Sequence, residues 1–88
     1  MVCKRLIFYG KVQGVGFRWF TKKNALSLNL KGYVRNLRDG TVECVVCGNE
    51  EDINELVKRC KNYALARVEK IEIFDYDKES FDTFEIRF

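Results

Sequence analysis

The chain has 88 residues, 47 % of them hydrophobic and 33 % charged, with a formal net charge of +3 and neither histidine nor proline. A chain this short buries only about 60 to 65 % of its unfolded surface, so residues 1–88 are expected to form a single domain with room for one site. The composition excludes a disordered tail; the apolar runs fall far short of the ~20 residues that span a bilayer, and the scattered basic residues do not form the block of a nucleic-acid-binding arm.

Cys3 to Val12 reads as a strand, with Leu6, Phe8 and Val12 on one face and Ile7 and Tyr9 on the other, the double apolar pattern of an interior strand. A glycine loop follows. From about Trp19 to Leu28 the set Phe17, Thr21, Ala25 and Leu28 recurs at helical spacing, and Asn29 suits the left-handed residue that closes a helix. Leu30 to Leu37 is a second strand, and Asp39-Gly40 is a hairpin turn into a third, Thr41 to Cys47. Asn49 before Glu50, Glu51 and Asp52 marks the start of a second helix, whose apolar stripe is Ile53, Leu56, Val57 and Cys60. Val68 to Phe74 is a fourth strand, and Phe84, Ile86 and Phe88 alternate in a short fifth at the edge.

The order β, α, β, β, α, β is the split βαβ arrangement, with two helices on one face of an antiparallel sheet. In that topology the first and second strands run parallel with the third between them, so their C-terminal ends share one edge of the sheet. Residues 13 to 18, which leave the first strand, are therefore expected to meet Asn36, near the end of the second. A fifth strand ending there would also bring the carboxylate of Phe88 within reach of Arg18.

Cys3, Cys44, Cys47 and Cys60 read as free thiols, because no secretory leader precedes them and the expected setting is the cytoplasm. Cys44 and Cys47 spell a CxxC, but on a strand residues three apart face opposite ways. With no histidine and no second pair, metal binding is not expected.

The loop Gln13-Gly14-Val15-Gly16-Phe17-Arg18 joins a strand end to a helix start. Glycine tolerates positive φ and lets the backbone approach a ligand, so successive N–H groups form a nest for an anion. The helix N-terminus adds unsatisfied donors and about half a positive charge, and Arg18 adds a planar fork matched to two phosphate oxygens. No Walker-type Gly-Lys-Ser/Thr follows and GxGxxG is absent, which argues against a nucleotide. A bare GxG plus Arg is by itself more often a tight turn than a site.

Two longer segments change that balance. GKVQGVGFRWF, from Gly10 to Phe20, resembles one signature of the acylphosphatase family, and Gly32-Tyr33-Val34-Arg35-Asn36-Leu37-Arg38-Asp39-Gly40-Thr41-Val42 resembles the other, GxVxNxxDGxV. The resemblance runs from about Lys4 to Ile73 and includes Leu65-Ala66-Arg67-Val68. It implies the ferredoxin-like α+β sandwich, βαββαβ, with an antiparallel sheet of four to five strands. It also implies that Arg18 binds the phosphate with the loop Gln13, Gly14, Val15, Gly16 and Phe17, and that Asn36 orients the attacking water. The chain departs from the family at Asn29, often glycine, and at Asn62-Tyr63-Ala64, where prolines are common; the second change leaves the loop before the fourth strand open.

The implied substrate is a small acyl phosphate, with no cofactor and no metal, handled by a cytoplasmic monomer that binds neither nucleic acid nor membrane. The chemistry needs few groups. A carboxylate leaving group, whose conjugate acid has a pKa of about 4, requires no general acid, and the chain lacks histidine, the commonest one. Phosphoryl transfer rests on positioning and charge stabilisation. A cysteine phosphatase would need a Cys six positions before an Arg, and no Cys here has one: Cys60 has Ala66 at that place. Lys11, Lys22, Lys23, Arg35 and Arg38 read as solvated charges, Asp39 as a turn residue, and Phe17, Trp19 and Phe20 as core or lid aromatics. Two alternatives share the topology. An RNA-binding module would carry aromatics on its third strand, where this chain has none. A catalytically silent phosphate-binding regulatory domain would keep the loop without the turnover.

Overall fold

A computed structural model describes all residues, Met1–Phe88. In chain order the elements are β1 (Val2–Lys11), α1 (Phe17–Ser27), β2 (Lys31–Asn36), β3 (Val42–Gly48), α2 (Glu50–Lys61), β4 (Arg67–Asp75) and β5 (Phe84–Arg87). They form one five-stranded sheet in the order β4-β1-β3-β2-β5. β1 pairs antiparallel with β3 and β4, and β2 antiparallel with β3, so β1 and β2 run the same way with their C-terminal ends at one edge, as the motif order implies. The sheet departs from an all-antiparallel one at its margin: β5 joins β2 in parallel, Gly32 facing Phe84 and Arg35 facing Arg87. That placement sends β5 toward the loop edge as well.

The period-2 and helical stripes meet in one core. Leu6 and Phe8 of β1, Val34 of β2, Val42, Cys44 and Val46 of β3 and Phe84 of β5 face Phe17, Ala25, Ile53, Leu56 and Cys60 of the two helices. Each such aliphatic or Phe side chain contributes roughly 1.5–3 kcal/mol by burial. α1 begins two residues earlier than its apolar spacing suggests, because Phe17 plugs into this core edge-on to Phe8 at 5.0 Å. Asn29 takes the left-handed conformation expected of it, φ 58°, and Asn49 caps α2 through its backbone, its carbonyl accepting from Ile53 N–H at 3.0 Å.

The cysteines correct one expectation. Cys44 and Cys60 are buried free thiols whose ionisation burial pushes up, Cys60 to about 11, but Cys3 and Cys47 form a disulfide. The expectation rested on the cellular setting, whereas the pairing follows from register: the β1–β3 ladder sets Cys3 directly opposite Cys47, with Cα atoms 4.0 Å apart. Cys44 and Cys47 do point to opposite faces, one into the core and one into the disulfide.

The sheet face away from the helices carries a second polar cluster. Glu43, buried near the start of the central strand β3, accepts from Arg5 Nε and Arg35 Nε, each at 2.6 Å, and from Tyr33 OH at 3.0 Å. Arg35 is thus an ion-pair partner rather than the solvated charge its sequence context suggests. Burial raises the Glu43 pKa, but the hydrogen bonds from Arg5, Arg35 and Tyr33 outweigh it and hold the carboxyl below its ordinary value. Burial, together with Glu43, pushes Tyr33 up to about 12.

Candidate active site

At the loop edge a cleft of about 190 Å³ opens between β1, α1, β2 and β5, lined by Val12, Gly14, Gly16, Phe17, Arg18, Trp19, Asn36, Ile86 and Phe88. At ~30 Å³ per water, that is room for about six waters, or for a phosphate group with a few waters. The topology therefore brings Arg18 and Asn36 together, eighteen residues apart in sequence.

The loop owes its shape to Gly14 and Gly16, both at φ 76°, a conformation in which an L side chain is strained. Gly16 is the N-cap of α1, and no side chain caps this helix. Its carbonyl accepts the first helical bond, from Phe20 N–H at 3.0 Å, so the amides of Phe17, Arg18 and Trp19 have no acceptor within the helix. The amides of Gly14, Val15 and Gly16 donate to no other backbone group either. Six consecutive N–H groups thus stand unsatisfied around a helix N-terminus, where the backbone dipole favours an anion.

Arg18 joins no salt bridge. Its guanidinium lies 4.9 Å from the centroid of the Phe88 ring. Phe88 thus reaches Arg18 through its ring, by a cation–π contact, and not through a carboxylate. Arg18 is the one residue of the lining with a charged side chain.

Asn36 ends β2 and is part of the cleft lining. Its Oδ1 is buried and accepts no hydrogen bond from the protein. A buried acceptor left unpaired costs about 1–3 kcal/mol, which a bound water or ligand group would relieve.

Gln13 and Val15 do not line the cleft. The Gln13 side chain is engaged elsewhere: Nε2 donates to Leu37 O at 2.8 Å and Thr41 O at 2.9 Å. It ties the loop to the turn between β2 and β3, and so to the strand end that carries Asn36. Asp39 holds that turn, accepting from Thr41 N–H at 3.0 Å and Thr41 Oγ1 at 2.6 Å.

The sequence brings Phe88 near Arg18 only through its terminal carboxylate, and it places neither Ile86 in the cleft nor Tyr63 behind the loop. The strict alternation of Phe84, Ile86 and Phe88 puts all three on one strand face, but only the parallel docking of β5 on β2 shows which edge they reach. Trp19, 60 % exposed, forms the outer wall, while Phe17 is core.

A model of the acylphosphatase family matches residues 4–86. An acylphosphatase of Picrophilus torridus is 45 % identical over 82 residues, covering 93 % of this chain and 98 % of the relative. Among solved structures, an acylphosphatase from Bacillus subtilis superposes with a TM-score of 0.94 at 34 % identity, over the whole of both chains. A HypF structure from Thermococcus kodakarensis matches 98 % of this chain at a TM-score of 0.84 and 41 % identity, over 12 % of that larger chain.

Proposed function

The chain belongs to the acylphosphatase family and is a hydrolase of acyl phosphates, and from that premise we propose how its cleft performs the reaction. The phosphoryl group sits in the nest of amides from Gly14 to Trp19, with the Arg18 fork on two of its non-bridging oxygens. Gln13 and Val15 contribute by shaping the loop. The Asn36 carboxamide hydrogen-bonds the attacking water and holds it in line with the leaving oxygen. As the water oxygen bonds to phosphorus, the bond to the acyl oxygen breaks and its electron pair leaves on the carboxylate. The water's proton passes to the phosphate itself, and no side chain in the cleft is a general base or acid.

The single observation that carries this reading is the meeting of Arg18 and Asn36 in the lining of one cleft, with Asn36 Oδ1 left without a partner in the chain. The carboxamide offers an acceptor for a water's O–H beside its N–H donors. The lining includes no Asp, Glu, His or Cys, which supports a reaction needing neither metal nor cofactor. The cleft, about 190 Å³ with one guanidinium in its lining, supports a free small molecule as the substrate. The disulfide lies at the opposite end of β1, so the site reads the same with that pair oxidised or reduced.

Hydrolysis of benzoyl phosphate in ¹⁸O-labelled water with excess chelator tests it. Turnover that places the label in phosphate is the expected outcome. Label in benzoate would mean attack at the carbonyl and would overturn the assigned geometry, and loss of turnover in chelator would overturn the metal-free mechanism.

A further inference from the structure

The unsatisfied amides raise a physical difficulty: Val15 is flanked by two glycines, and a peptide unit next to glycine turns over easily, which would replace an inward N–H by a repelling carbonyl. A residue outside both signature segments answers it. Tyr63, in the link between α2 and β4, donates its OH to the carbonyl of Val15 at 2.8 Å. Its ring stacks on Phe20 at 4.1 Å between centroids with planes 20° apart, and approaches Phe17 at 6.2 Å. The hydroxyl is thus held by a ring itself wedged against α1, and it is close enough to the loop that a Cβ on Gly16 would stand 3.2 Å from the tyrosine oxygen.

We infer that Tyr63 is a positioning residue for phosphate binding, which locks the Val15–Gly16 peptide so that the Gly16 N–H faces the cleft. The reason is geometric. In a trans peptide the C=O of one residue and the N–H of the next lie in one plane and point in opposite directions. Holding the Val15 carbonyl toward Tyr63, behind the loop, directs the Gly16 N–H to the other side, and Gly16 lines the cleft whereas Val15 does not. The bond removes a freedom that the two glycines introduce, so the nest is set before the anion arrives. This inference rests on the phosphate-binding reading of the loop.

Tyr63→Phe keeps the stacked ring and deletes only the hydroxyl. The expected result is a rise of roughly 3- to 10-fold in both the KM for benzoyl phosphate and the inhibition constant of inorganic phosphate, with kcat within about twofold and the melting temperature nearly unchanged. Titrating ¹⁵N-labelled protein with inorganic phosphate should shift the Gly16 amide strongly in the wild type and weakly in the variant. Tyr63→Leu, which also loses the stack, lowers the melting temperature, so packing and positioning separate. Wild-type turnover with Tyr63→Phe unchanged in KM, phosphate inhibition and the Gly16 shift overturns the positioning role alone. A wild-type protein that neither hydrolyses benzoyl phosphate nor shifts its Gly16 amide overturns the phosphate site and the lock with it.

Discussion

Two polar regions lie on this small sheet, and they differ in how their hydrogen bonds close. On the open face every strong group around Glu43 has a partner: Arg5, Arg35 and Tyr33 converge on one carboxylate. At the loop edge the reverse holds, with six amides free, Arg18 outside any ion pair and Asn36 Oδ1 buried without a donor. Donors and acceptors that find no partner within the chain are left for water or a ligand. Charge alone does not tell the two regions apart, since both are built on arginine. The two regions thus differ in closure: the Glu43 cluster is satisfied within the chain, while the loop edge keeps donors and an acceptor to spare.

Substitutions can break or sharpen the contrast. The largest effect is expected at Arg18: Arg18→Ala should lower kcat/KM for benzoyl phosphate by about 10³-fold, while thermal unfolding stays nearly that of the wild type, since the side chain has no protein partner except the Phe88 ring. A melting point lowered along with activity would show that Arg18 holds the fold. Asn36→Ala comes next, with kcat down about 10²-fold and stability equal or slightly raised, because an unpaired buried acceptor is removed. An activity loss with a matching loss of stability would place Asn36 in the structural class. Glu43→Gln should do the opposite, leaving kcat within about twofold but costing about 2 kcal/mol, or about 10 °C in melting temperature for a chain of this size.

The Glu43 contrast has a pH signature whose sign is fixed. Its folded pKa is depressed, after burial is outweighed by the Arg5, Arg35 and Tyr33 bonds, so its stabilisation is full above the ordinary value of 4.5 and is lost as pH falls through the lower folded value. Denaturant titrations between about pH 2 and 7 should show a steep acid limb in the wild type and a flatter one in Glu43→Gln. Equal slopes would mean that other carboxylates carry the acid sensitivity.

Much of this was legible in the sequence because it depends on short-range pattern. The strand β1 shows its interior place by apolar residues on both faces, and Asp39-Gly40 announces the β2–β3 hairpin through turn chemistry. The convergence of Arg18 and Asn36 needs only the order of elements, since β1 and β2 must run parallel if β3 lies between them. What stayed hidden depends on register or docking between distant segments. Cys3 and Cys47 meet because one ladder offset out of several is realised, and nothing local to either residue states that offset. Gln13 has the composition of a loop ligand, yet its amide is engaged by Leu37 and Thr41, carbonyls visible only once the turn is folded. Tyr63 lies 48 residues from the carbonyl it holds.

The parallel docking of β5 also sets a timetable. Ile86 and Phe88, which close one side of the cleft, leave the ribosome about 70 residues after the loop that they enclose, and β5 has only β2 as a neighbour in the sheet. A growing chain therefore displays the glycine loop, Arg18 and Asn36 well before the wall beside them exists.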